Sequence, residues 1–192
     1  MSSSRRGHRE RLVYETAQQL RRAGVTGTGL RRVVSDAGAP RGSLQHYFPG
    51  GKDQLVGEAL QWSGTWAAAR VMHHVDRMRR PTPSRLFAAI VDEWAADLDA
   101  RDFSRGCPVA ASVIDCADTN DTVRRAADAA LETWRRPITE ALVEMGRPRR
   151  RAERLSTLML CALEGALVVA RARRDTTPLG LVARELAPVL DA

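Results

Sequence analysis

The chain has 192 residues, 44% hydrophobic and 28% charged, with a formal net charge of +7; this is the make-up of an ordinary soluble globular protein of one domain or two small ones. There is no run of 18 apolar residues, the opening MSSSRRGHRERL lacks an apolar signal core, and the three cysteines (Cys107, Cys116, Cys161) are odd in number and far apart. These features argue against a membrane span, a secretory leader and a disulfide framework, and they fit a reducing cytoplasm.

Helix signals run the length of the chain. Arg5 to Ala23 carries Val13, Ala17 and Leu20 on one stripe, with Gly24 as a stop. Thr28 is the expected cap of a short helix, Leu30 to Ala37, which Gly38 ends. Pro40 suits the start of a third short helix reaching Tyr47. The PGG stretch breaks it, and a long helix follows from about Lys52 towards Arg79. Beyond Pro81 and Pro83, Ser84 is the expected cap of a helix to Asp99. A short helix over Val109 to Ala117 comes next, then a long one from Thr119 or Asn120 to near Gly146, with a kink expected at Pro137. Pro148 opens a helix to about Arg174, and Thr177 with Pro178 caps and starts a last helix to about Leu190. No segment alternates with period two, so the fold class is all-α.

Residues 1–55 hold ten Lys/Arg against four Asp/Glu, while the remainder is nearly balanced. Such a distribution suits either a polyanion-binding module or a solvated arginine-rich surface. The two short helices joined by AGAP decide for the first, because they form a helix-turn-helix pattern with glycine in the turn. In such a unit the second helix enters the major groove and the first crosses the phosphate backbone. Gly42 and Ser43 are small enough to let the backbone approach DNA, and Gln45 and His46 carry groups that read base edges. Arg41 suits guanine or phosphate, Lys52 suits phosphate as a point charge, and one of Arg31 and Arg32 meets phosphate. Leu44 and Phe48 are expected in the core.

At these residues the sequence becomes specific. The stretch TGTGLRRVVSDAGAPRGSLQHYFPGGKDQLV, Thr26 to Val56, resembles the DNA-binding domain of the TetR family of one-component repressors. The family's pattern is met at Thr28, Val33, Val34, Ala37, Gly38, Arg41, Gly42, Ser43, Leu44, Tyr47, Phe48, Lys52 and Leu55. Two departures stand out. Gln45 occupies a place often held by tyrosine, and two residues, Gly50 and Gly51, separate Pro49 from Lys52 where one is usual. Together with GCPVAAS, Gly106 to Ser112, the segment is similar to the LmrA/YxaF-like branch. The resemblance implies a helix-turn-helix domain over 1–50, with Thr28, Arg31, Arg41, Gly42, Ser43, Gln45, His46, Tyr47 and Lys52 facing an operator in double-stranded DNA. It implies about nine helices in all, with a ligand-binding and dimerisation domain over 51–192.

The body of the chain holds all four tryptophans. Trp62 and Trp66, spaced i, i+4, share a helix face. With Phe87, Trp94, Phe103, Val113, Trp134 and Ile138 they are expected to line a pocket, and the resemblance places one among the middle helices. Few polar groups lie among them, which suits a flat apolar effector. The resemblance also implies a homodimer through the two C-terminal helices, where Ala162, Gly165, Ala166, Val169 and Leu186 offer small and apolar surface. No phosphate-binding loop, zincin motif or nucleophile elbow is present, and His73, His74 and the cysteines lack zinc-ligand spacing. No catalytic residue, cofactor or metal is therefore expected. The expected function is that of a ligand-responsive regulator, most simply a repressor. The competing reading is a cytoplasmic helical enzyme or small-molecule carrier with a basic N-terminus.

Overall fold

The computed structural model describes residues 7–40 and 42–192. Among them the secondary structure is nine α-helices and no strand. The helices are α1 (His8–Ala23), α2 (Leu30–Asp36), α3 (Ser43–Tyr47), α4 (Gly51–Arg77), α5 (Pro83–Asp99), α6 (Pro108–Cys116), α7 (Asp121–Glu144), α8 (Arg149–Arg173) and α9 (Thr177–Asp191). They form two compact units. The first is Met1–Gly64 with Cys107–Leu131; the second is Thr65–Gly106 with Glu132–Ala192.

In the first unit α1 buries Leu12, Val13, Thr16, Ala17 and Leu20, a single stripe of helical period, and packs on α2, α3 and α6. Leu55, Val56, Ala59 and Leu60 of α4 complete this core with Val33 and Phe48. Thr16 Oγ1 donates to the Leu12 carbonyl at 2.8 Å, so its hydroxyl is satisfied inside the core. Gly64 of α4 lies so close to α7 that a Cβ there would stand 2.6 Å from the Ala130 carbonyl oxygen. Asn120 is the cap of α7, its Oδ1 accepting the Val123 N–H at 3.0 Å.

In the second unit the buried face of α5 (Leu86, Phe87, Ile90, Val91, Trp94, Leu98) packs on α9 and α8. Thr139 and Ser156 pair their hydroxyls at 2.7 Å in the interior. The last carbonyls of α9, which no helical N–H can reach, accept from two arginines: Arg147 Nη2 on Asp191 O at 2.5 Å and Arg151 Nη2 on Val189 O at 2.9 Å. Helix α7 runs on through Pro137. By length and composition α8 is apolar enough to cross a membrane, its best 18-residue window reaching a mean hydropathy of 1.6, although a strictly uncharged run of that length is lacking. It also supplies the core, burying Leu155, Met159, Leu163, Leu167 and Ala170.

Three caps differ from expectation. Thr28 does not cap α2: its Oγ1 donates to the Gly24 carbonyl at 2.6 Å and the residue is buried, leaving Gly29 at the cap position. Thr82, not Ser84, caps α5, because the residue directly before a first-turn proline takes that role; its Oγ1 accepts the Arg85 N–H at 3.3 Å. Thr177 opens α9 from inside, its N–H and hydroxyl both donating to Asp175 Oδ1 at 2.9 and 2.7 Å.

Gly64→Ala tests the close approach of α4 and α7. Alanine is the better helix former by ~1 kcal/mol, but its Cβ must displace backbone. A net loss of about 1 kcal/mol in denaturant-unfolding stability is expected, whereas a gain would show that the helices part freely.

Candidate nucleic-acid interface and pocket

The turn between α2 and α3 forms because Gly38 adopts φ +57°, a left-handed conformation that costs glycine nothing. The Ala39 N–H returns to the Val34 carbonyl at 3.1 Å and the Ser43 N–H to the Pro40 carbonyl at 3.0 Å. Neither short helix is stable alone, and both are tied to α1. Arg11 Nε donates to the Ala37 carbonyl at 3.0 Å, and Gln19 Nε2 to Asp36 Oδ2 at 2.9 Å. Phe48 is buried behind α3, with the Arg9 guanidinium 5.3 Å from its ring centre. Arg9 is itself held by Glu58 at 2.7 Å.

This anchoring turns one face of α3 outward. Gly42, Gln45 and His46 are exposed, as are Arg31 and Arg32 on α2; Tyr47 and Lys52 are half-buried. The His46 and Tyr47 rings meet edge to face at 4.7 Å. Among the described residues, chain neighbours aside, a Cβ built on Gly42 would meet no atom within 4 Å. Ser43, expected to face DNA, and Leu44, expected in the core, both depart from expectation. Ser43 is buried, and Leu44 is half-buried at the edge of a groove shared with Leu30, Arg31, Val34 and Ser35. A five-residue helix makes little more than one turn, so its inner face is set by how Phe48 docks rather than by its own periodicity. With Thr28 also buried, neither hydroxyl stands on the outward face. Arg41 lies outside the described residues. The extra residue before Lys52 is Gly51, at φ +72°, whose N–H closes on the Phe48 carbonyl at 2.9 Å.

In the second unit Trp66, Trp94 and Trp134 come together with Ala67, Arg70, Val71, His74, Ile90 and Glu93. The Trp94 and Trp134 rings stand 5.9 Å apart. Trp94 and Trp134 are buried, while Trp66 is 44% exposed. The space between them is about 10 Å³, room for one water at most. Its polar wall was not foreseen. Glu93 holds two partners at once, Arg70 Nε on Oε1 at 2.6 Å and His74 Nε2 on Oε2 at 2.7 Å. Of the other residues expected here, Phe87 and Ile138 are in the core, and Phe103 sits in a turn with the Arg174 guanidinium 6.0 Å from its ring. Trp62 and Val113 belong to the first unit, where Trp62 meets Tyr14 edge to face at 5.4 Å. Among the described residues no cluster of His, Cys, Asp and Glu could hold a metal ion.

On α8 an apolar stripe faces outward: Leu158, Cys161, Gly165, Val168 and Val169 are exposed, joined on α9 by Leu181 and Val189. Of the residues expected at a dimer interface, Gly165 and Val169 lie on this stripe, Ala162 and Leu186 are half-buried, and Ala166 is buried.

Residues 83–185 match the family described as "Transcriptional regulator LmrA/YxaF-like, C-terminal domain". Over 189 residues the chain is 37% identical to an uncharacterized HTH-type transcriptional regulator of Mycobacterium tuberculosis, covering 96% of this chain and 94% of that one. It is 29% identical over 189 residues to the HTH-type regulator YxaF of Bacillus subtilis, covering 98% and 97%. A TetR transcriptional regulator from Legionella pneumophila has the same fold, with a TM-score of 0.80 at 16% identity over 96% of this chain and 98% of that one. Residues that build a helix-turn-helix, an all-α architecture among the described residues and these relatives agree: the chain belongs to the TetR family of transcriptional regulators, in its LmrA/YxaF-like branch.

Proposed function

We propose that the protein is a ligand-responsive repressor that binds a (pseudo)palindromic operator in double-stranded DNA as a homodimer and is released by an apolar small molecule. The observation that carries this reading is the outward face of α3, where Gln45 and His46 are exposed beside Gly42 and the arginines of α2. Among the described residues no packing contact explains glycine at 42, and a small residue there suits a phosphate backbone closing on the start of the helix. Gln45 reads a base edge, His46 supports it, and Arg31, Arg41 and Lys52 contact phosphate. The repressor works where the DNA is, in the cytoplasm.

The apolar stripe on α8 and α9 supports the homodimer, since exposed apolar area of this kind marks a protein interface. Two copies paired by this face present two recognition helices, as a palindrome demands. The cluster of Trp66, Trp94 and Trp134 supports the effector site. Its space is too small for an effector, which therefore enters by moving Trp66, the exposed ring, and the Arg70–Glu93–His74 group orients a polar substituent. Helix α4 carries both Lys52, beside the reading head, and Trp66. A shift of α4 therefore links the two. A coupling of ~1–3 kcal/mol gives a ~5–150-fold change in affinity.

Fluorescence anisotropy with the DNA flanking the protein's own gene, at two salt concentrations, tests the reading. Selective binding that survives physiological salt is expected. Non-selective binding that vanishes with salt would favour the enzyme or carrier alternative. Lys52→Ala is expected to make the dependence of log K on log salt shallower by about one unit. Gln45→Ala is expected to relax sequence preference with little change in that slope; unchanged preference would assign Gln45 to the backbone. An effector found by release of the DNA must weaken operator affinity by the same factor by which operator weakens effector affinity, and unequal factors would refute simple linkage.

A further inference from the structure

The GCPVAAS stretch is the motif that the DNA-reading face does not absorb. It builds the start of α6. Cys107 precedes the helix, Pro108 occupies its first turn, and Ser112 Oγ donates back to the Pro108 carbonyl at 2.8 Å. Helix α6 lies against α1 in the first unit. From its next-to-last residue, Asp115 reaches the connection between α1 and α2. Its Oδ2 accepts the Thr26 backbone N–H at 2.6 Å, and its Oδ1 accepts the Thr26 hydroxyl. A Cβ at residue 24 would stand 2.8 Å from Asp115 Oδ2, so glycine there makes room for the carboxylate. The two Thr26 bonds, with smaller contributions from the Val25 backbone and then Lys52, hold the Asp115 carboxyl below the usual carboxylate range. A second bond lies nearby: Asn120 Nδ2 donates to Asp53 Oδ1 at 3.0 Å, next to Lys52 in the first turn of α4.

Residues 24–29 connect α1 to α2, and α2 sets the place of α3. We propose that Asp115 is a positioning residue for DNA recognition: by clasping Thr26 it fixes this connection, and through it α2 and α3, in the arrangement that reads the operator. The proposal rests on α3 being the DNA-reading helix. Its rival is a clasp that only adds stability to the first unit.

The test uses the full-length protein, an operator duplex that the wild type selects from a random library, and a scrambled duplex of the same composition. All titrations run well below the melting temperature of every variant. Thr26→Val removes the hydroxyl donor without altering charge, Thr26→Ser keeps both donors, and Asp115→Ala removes the clasp. Operator affinity is expected to fall about tenfold in Thr26→Val and Asp115→Ala, the scale of a hydrogen bond to a charged group. Thr26→Ser should match the wild type, the scrambled duplex should bind Thr26→Val as it binds the wild type, and the double variant should lose no more than Asp115→Ala alone. Wild-type operator affinity in both single variants, with only a lowered melting temperature, would overturn the proposal. So would equal losses on operator and scrambled DNA, or losses that simply add. If the wild type selects no duplex at all, the DNA-binding reading fails first and takes the clasp with it.

Discussion

A five-residue helix cannot hold its own shape in water, because so few hydrogen bonds do not offset the entropy of nucleation. The proposed reading head of this protein depends on that constraint. Helix α3 exists because Phe48 is buried behind it, because α1 supplies a core stripe from Leu12 to Leu20, and because Arg11 and Gln19 tie α2 in place. The orientation of Gln45 and His46 is therefore a property of the whole first unit. Helix α6 and the first part of α7, distant in sequence, belong to that unit. The polar bonds of Asp115 and Asn120 join them to the segments on either side of the short helices.

The order of helices was legible because apolar residues recur with helical period and because glycine and proline punctuate the chain. Legibility stopped where the determining contact was not local. Thr28 looks like a cap, being a threonine just before a helical run, yet its side chain turns back to Gly24 because the α1–α2 connection folds over it. The choice between Ser43 and Leu44 for the inner face of α3 has no periodic signal in so short a helix. Thr82 was available to sequence reasoning, since the cap of a helix with proline in its first turn is the residue before that proline.

The pocket shows the same limit differently. Four tryptophans suggested one aromatic cavity, and i, i+4 spacing suggested that Trp62 and Trp66 share it. Three of them converge, and Trp62 instead packs on Tyr14 in the first unit. The Arg70–Glu93–His74 group was invisible because each residue sits at an ordinary position on an amphipathic helix, and only the packing of α5 against α4 brings them together. Within the second unit the salt-bridged group and the ring cluster give the proposed effector site a polar end and an aromatic end. That arrangement agrees with an effector that is flat and apolar over most of its area.

The account stands or falls on α3 entering the major groove. Methylation protection of guanine N7, an atom exposed only in that groove, tests this on a duplex bound by the wild-type protein. The account predicts two protected tracts on one face of the DNA, with centres about 10–10.5 base pairs apart or a multiple of that spacing. Bound DNA whose N7 atoms remain open to methylation, with protection confined to the minor groove or to phosphates, would contradict it.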